Sequence, residues 1–367
     1  MRLERIHLVN FKNYDETELT FSSKINVLVG RNGSGKTNLL DAIHYLSFTK
    51  SAFSSSDHQN IRHGESHFFI KGNMNLNSRN QEIICGVQVG MKKNFKNENS
   101  EYNKLSDHIG KYPMVLFAPD DVDLVKEGSE SRRKFFDGMI SQIDKVYLEN
   151  LIQYNHALKQ RNSLLKMFQE SGKVDWLALE TYDEVLIAYG NSIYNKRKEF
   201  AVEFLPVFLR FYNFLVDEAE SVDLKYVSGL NDIDFKTGLI RNRNRDLALQ
   251  RSSFGIHRDD FEFTLGEGDL KRLGSQGQQK SFVISLKLAQ SEIIKSHKGF
   301  SPVLLLDDIF DKLDDFRIAR LLELIKTDLG QLFITDARPD RTQGLLKQIN
   351  VLASFFMVDN GKITTHA

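Results

Sequence analysis

Residues 30–37 read Gly-Arg-Asn-Gly-Ser-Gly-Lys-Thr, and no other stretch restricts the possible folds of this chain so tightly. The pattern G-x-x-x-x-G-K-[ST] is a phosphate-binding loop when a strand precedes it and a helix follows. Both flanks are present. Residues 24–29 (Lys-Ile-Asn-Val-Leu-Val) are short, apolar and β-branched, which predicts a buried strand. Residues 38–46 carry apolar side chains at helical spacing. Glycines let the backbone wrap an anion, and the amide N–H groups at a helix start favour negative charge. Gly30, Arg31, Asn32, Gly33, Ser34, Gly35, Lys36 and Thr37 are therefore the candidate ATP site. In such a loop the lysine, Lys36, reaches the β and γ phosphates, and the hydroxyl of Thr37 ligates magnesium.

A second half of the site is expected near residues 303–308, an apolar run that ends in Asp307 and Asp308. The acid at such a strand end binds magnesium directly or through water, which assigns Asp307 to the metal. The next acid, Asp308, is the candidate that orients or deprotonates the attacking water. Asp311 follows where a related loop contacts a partner subunit. Some 30 residues upstream, Ser275, Gln276, Gly277 and Gln278 lead straight into a helical pattern. A serine hydroxyl and free N–H groups at a helix start make an anion site, although a plain helix N-cap reads the same way. The order matches ABC-type ATPases, whose signature loop contacts the γ-phosphate held by the other subunit.

The rest of the chain places these motifs. Its 367 residues suggest two domains or one with a large insertion. Lys plus Arg and Asp plus Glu are both 49, which argues against a generally basic nucleic-acid coat and leaves a local basic surface open. One cysteine, Cys85, allows no intrachain disulfide and points to a reducing compartment. No apolar window approaches about 18 residues and the first six residues do not start a signal peptide, so a cytoplasmic protein without a membrane partner is expected. Residues 3–11 read as an early strand of the same sheet as the loop strand. Residues 67–76 and 81–89 read as a hairpin in an antiparallel lobe, 92–108 as a polar surface segment, and 114–118 as a further strand. From Phe136 to Leu158 apolar residues step by three and four, with Ser129 or Ser131 as a cap. A second stripe runs from Tyr182 to Phe204, and Pro206 interrupts it. The expected architecture is α/β: an ABC/SMC-type ATPase head from residues 1–120 and 240–367, with an antiparallel β lobe, and a mainly helical inserted arm at 121–239.

Several stretches outside the ATPase motifs carry a resemblance. They are residues 8–14 (Leu-Val-Asn-Phe-Lys-Asn-Tyr), 117–121 (Phe-Ala-Pro-Asp-Asp), 131–137 (Ser-Arg-Arg-Lys-Phe-Phe-Asp), 159–162 (Lys-Gln-Arg-Asn), 255–260 (Gly-Ile-His-Arg-Asp-Asp) and 275–280. With them the chain resembles, over essentially its whole length, the RecF family of bacterial recombination and replication-repair ATPases, relatives of the SMC and ABC-type heads. The resemblance implies ATP and Mg²⁺ as cofactors, an ATP-dependent homodimer, and slow hydrolysis. It also implies binding to gapped DNA and single-strand/double-strand junctions, and work with RecO and RecR to load the recombinase. The sequence departs from most ABC-type heads in carrying Asp308 where Glu is usual and Asp336 where a switch histidine is usual. It has no clear glutamine near Pro119, which leaves Asp120 as the sensor candidate. Arg132, Arg133 and Arg258, with the Arg241, Arg243 and Arg245 cluster, are the candidate DNA contacts; solvated or salt-bridged arginines are the equal alternative.

Two other functions stay open at this point. An ABC transporter's ATPase subunit would share the core, though the helical insertion argues against it. A scaffold that binds ATP without hydrolysing it would carry the same motifs, because two aspartates at a strand end prove geometry for neither water nor metal.

Overall fold

The computed structural model describes residues 1–216, 221–326 and 329–366, with the backbone alone at 311, 312 and 366. It divides into two units, one of residues 1–122, 211–218 and 280–367, the other of residues 123–210 and 219–279. The first unit begins with a hairpin of β1 (Arg2–Phe11) and β2 (Tyr14–Thr20). Strand β3 (Ile25–Val29) then leads through the loop into helix α1 (Lys36–Phe48). The expected second hairpin is β4 (His67–Leu76) with β5 (Arg79–Gln88), in register His67 to Gln88. Two short strands, β6 (Asn94–Asn97) and β7 (Ser100–Glu101), extend it, and β8 (Met114–Phe117) follows.

The early strand does not join the loop strand's sheet. Strand β1 belongs to an antiparallel sheet of order β2-β1-β4-β5-β6-β7. Burial shows why: along β1 buried and half-exposed residues alternate, whereas all five residues of β3 are buried. Alternation marks a sheet covered on one face, and an unbroken apolar run marks a parallel strand covered on both. Residues 92–108 are also more than a polar surface. Phe95 is buried edge-on to His108, whose Nε2 lies 2.6 Å from the Leu46 carbonyl.

The second unit is built from α2 (Asp123–Lys126), α3 (Ser129–Ile143), α4 (Lys145–Ser171), most of α5 (Trp176–Leu215), β9 (Val222–Val227) and α6 (Phe235–Leu249). Strands β10 (Asp260–Leu265) and β11 (Gly268–Asp269), helix α7 (Leu270–Leu273) and the start of α8 (Gln276–Lys298) complete it. The helical stripe from Phe136 onward is two helices, because Asp144 accepts a hydrogen bond from Tyr147 N and caps α4 afresh. Neither Ser129 nor Ser131 caps α3; that position is Gly128. Helix α5 continues through Pro206. The proline deprives the Val202 carbonyl of its ladder partner, and Val202 is 73% exposed, so solvent can serve that carbonyl.

The sequence reading put residues 240–279 with the ATPase head, and the structure puts them with the inserted unit. Strand β10 pairs with β9 (Phe261 opposite Tyr226), and Phe136 of α3 stacks on Phe261 at 3.9 Å between ring centres. Two fully buried arginines tie the same residues together. Arg161 meets Asp183 and Asp246, and Arg197 meets Asp137 and Asp259. Removing one partner from such a pair strands a buried charge, at a typical cost of about 3–5 kcal/mol.

Back in the first unit lie β12 (Val303–Leu306), α9 (Asp315–Lys326), β13 (Leu332–Asp336), α10 (Pro339–Gln348), β14 (Ala353–Asp359) and β15 (Lys362–His366). They complete a sheet of order β15-β14-β3-β13-β12-β8, parallel except for the last hairpin β14-β15. Helix α1 is buried on all sides over residues 39–47, because it packs against both sheets of this unit. The core therefore fixes the start of α1, and with it the phosphate loop, against the ends of β3, β12 and β13.

Candidate functional site

Gly35 is the N-cap residue of α1, with φ +119°, and an added Cβ would lie 2.5 Å from the side-chain amide of Asn13. Gly30 faces a similar limit, since its Cβ would meet the Val358 carbonyl oxygen at 2.1 Å. The loop is braced from outside the motif. Asn13 Nδ2 and Gly361 N both donate to the Ser34 carbonyl at 3.0 Å, and the Tyr14 hydroxyl donates to the Gly35 carbonyl at 2.9 Å. Asn38 in turn donates to Asn13. Sequence reasoning singled out residues 8–14 without a reason; Asn13 and Tyr14 supply one.

Inside the loop, Lys36 is 4% exposed and its Nζ donates to the carbonyls of Gly30 and Arg31 at 2.9 and 3.1 Å. The buried Ser34 hydroxyl has no partner among the described residues. An unanswered hydroxyl and a buried ammonium in a ring of backbone amides suit an anion of high charge.

Thr37 and Asp307 stand 270 positions apart in sequence, and the Thr37 hydroxyl lies 3.0 Å from both Asp307 carboxylate oxygens. Burial pushes the Asp307 carboxyl above its ordinary range, against the opposing effect of hydrogen bonds from Thr335 and Thr37. A hydroxyl and a carboxylate at this spacing suit Mg²⁺, which takes few protein ligands beside phosphate oxygens and water. No cluster of three or more His, Cys, Asp or Glu able to hold a metal exists among the described residues, as such a site requires none.

Asp308 adopts the left-handed conformation, φ 46° and ψ 35°, which costs a residue with a side chain about 1–3 kcal/mol unless its surroundings hold it there. Its backbone N donates to the Thr335 hydroxyl at 2.8 Å. Sequence reasoning missed Thr335, the penultimate residue of β13. Next to it, Asp336 accepts from Arg338 N and the Thr342 hydroxyl. Asp120 is exposed, whereas Asp121 turns inward to Lys287 at 2.7 Å.

In the other unit, Ser275 is exposed at the start of α8. Ser275 N donates to the Gln278 side chain at 2.6 Å, and Gln278 N to the Ser275 hydroxyl at 3.2 Å. This reciprocal capping box defines the helix start that Gln276 and Gly277 continue. Asp311 falls in the turn Ile309–Lys312, and its side chain lies outside the described residues.

The family of the RecF/RecN/SMC N-terminal domain matches residues 2–364. The chain is 46% identical to the "DNA replication and repair protein RecF" of Flavobacterium johnsoniae, over 97% of this chain and 99% of that one. It is 44% identical to the protein of the same name from Cytophaga hutchinsonii, over 99% and 96%. The chain belongs to the RecF family. A solved structure of the recombination mediator protein RecF-ATP in the RecFOR pathway is similar at a TM-score of 0.89, with 31% identity over 100% of this chain and 97% of that one. The SMC head of Pyrococcus furiosus shares the fold at a TM-score of 0.57 and 18% identity.

The stretches that mark the RecF family largely build the buried polar network of the second unit. Arg161 and Asn162 reach Ser252, His257 meets the Tyr154 hydroxyl, and Asp259 holds Arg197 and the Tyr226 hydroxyl. That network engages two of the candidate DNA contacts. Arg132 makes a bidentate pair with Asp260 at 2.8 and 2.7 Å, and Arg133 donates to the Asp259 carbonyl at 2.5 Å. Both guanidinium groups are committed inside the unit, and burial lowers the pKa of Arg133. Arg243 is likewise engaged, with Glu180 and over the Trp176 ring. Arg258, Arg241 and Arg245 are exposed.

Proposed function

We propose that this chain binds ATP with magnesium in the cradle of residues 30–37, and that two copies close around two nucleotides. Slow hydrolysis then releases the closed assembly from DNA. The observation that carries this reading is the meeting of Thr37 with Asp307: the loop and the acidic strand end, distant in sequence, form one acceptor set beside a buried lysine. Thr37 and Asp307 would hold the magnesium, which supplies charge neutralisation across the phosphate oxygens. Asp308 would hold the attacking water, with Ser275 to Gln278 of the second copy completing the site from the other side. Work with RecO and RecR is supported by the RecFOR pathway to which the solved relative belongs; gapped DNA and junctions are the substrates this reading assigns to it. A cytoplasmic location accords with that work, and no described helix is long and apolar enough to cross a membrane.

The test is ATP turnover with and without gapped or junction DNA, with the molecular mass followed by light scattering in each state. Turnover that DNA accelerates supports the reading; nucleotide binding with no turnover leaves the scaffold. ATP should drive dimerisation by linkage, since a ligand that binds the closed form better shifts mass toward it. Ser275→Arg should block the dimer and leave nucleotide binding to the monomer. An identical mass for the unaltered chain with and without ATP refutes the sandwich.

DNA binding should be largely independent of sequence, with log affinity falling linearly in log salt. Arg258→Ala should lessen that slope by about 0.9 if it neutralises one duplex phosphate. Arg132→Ala should leave the slope unchanged and lower thermal stability, because its carboxylate partner is internal. A slope that falls with Arg132→Ala and ignores Arg258→Ala reverses this assignment.

A further inference from the structure

We infer that Thr335 is a positioning residue for both carboxylates of the ATP site; the inference rests on the ATP-site reading above. Thr335 ends the apolar run of β13 and is fully buried. Its hydroxyl accepts the backbone N–H of Asp308 at 2.8 Å and lies 2.7 Å from Asp307 Oδ1 and 3.3 Å from Asp308 Oδ1. A hydroxyl has one proton to donate. The shorter contact assigns that proton to Asp307, while the lone pairs hold the Asp308 amide.

One oxygen therefore does two things. It donates to Asp307 Oδ1, which the Thr37 hydroxyl also approaches, so that carboxylate is held by two hydroxyls. It also pins the left-handed backbone of Asp308, and thereby aims the Asp308 side chain. Loss of the oxygen would free both acids at once, and a misplacement of about 1 Å at a reacting centre can cost about 10²-fold in rate.

Shape and hydroxyl chemistry can be separated by substitution. Thr335→Val keeps the branched outline and loses the oxygen; Thr335→Ser keeps the oxygen and loses the methyl. If the hydroxyl positions the acids, Thr335→Ser should stay within about threefold of the unaltered chain. Thr335→Val should lose about 10–10²-fold in kcat. Independently of turnover, Thr335→Val should need about tenfold more Mg²⁺ to reach half-maximal binding of a fluorescent ATP analogue, while its binding without Mg²⁺ stays unchanged. The Ser and Ala variants, which differ by one oxygen, repeat the comparison should the valine variant not fold.

Equal behaviour of Thr335→Val and the unaltered chain, or a serine variant as impaired as valine or alanine, overturns the inference. Failure of the ATP-site reading looks different: the unaltered chain itself would show neither Mg²⁺-dependent nucleotide binding nor turnover.

Discussion

Lys36→Ala should reduce ATP binding below detection in a chain that still folds. The ammonium of Lys36 is almost fully buried at the start of α1, and the loop carbonyls of Gly30 and Arg31 hold it there. An ammonium fixed in that place needs little reorganisation to meet the β and γ phosphates. Each hydrogen bond to a charged group contributes about 1.5–3 kcal/mol, so the loss of two removes about 3–6 kcal/mol. That corresponds to about two to four decades in affinity. The substitution also strips a donor from two loop carbonyls, so folding needs its own check by circular dichroism and thermal melting. Lys36→Met, which keeps the stem and loses the charge, should match alanine in the binding assay. Isothermal calorimetry that returns the original affinity for either folded variant would remove Lys36 from the site.

The parts of this site visible in the sequence are those in which chemistry is local. A phosphate loop needs its glycines, lysine and threonine within eight positions, and Asp307 and Asp308 sit together at the end of one apolar run. Thr335 was invisible for the opposite reason. A threonine near the end of an apolar strand is an ordinary strand former, and only the fold brings its oxygen to Asp307, 28 positions away. Asn13 escaped likewise, since its bond to Ser34 spans two strands of different sheets and a loop.

Which arginines pair inside the fold was not legible, because charge in a sequence says nothing about its partner. Arg132 finds Asp260 across 128 positions, and Arg161 finds Asp246 across 85. Such pairs become visible only when helices and strands have packed. The sheet assignment of β1 was partly legible in its alternation, which residues 24–29 lack. The boundary near residue 240 was not legible, because β9 and β10 are short strands whose pairing crosses an intervening helix.

Asp308→Asn should bind ATP and dimerise, yet hydrolyse about 10²–10⁴-fold more slowly, the range typical of a lost general base. The backbone of Asp308 is pinned by Thr335 and follows the buried Asp307 at the end of β12, so its side chain starts from a fixed point. A carboxylate there can accept hydrogen bonds from a water and hold it in line with the γ-phosphate. Asparagine keeps the size and one acceptor and loses the charge and most of the basicity. Asp307→Asn should behave differently, because it weakens the magnesium-dependent binding that Asp308→Asn preserves. The two variants are separated by measuring nucleotide affinity and phosphate release on the same preparations. With hydrolysis as the release step, the Asp308→Asn dimer should also stay on DNA longer, as dissociation after a salt jump would show. Wild-type turnover by Asp308→Asn would move the role to another acid. Asp314 is a poor substitute, because it caps α9 through Arg317 N and is paired with the Arg317 guanidinium. Asp311 would then be the acid to replace.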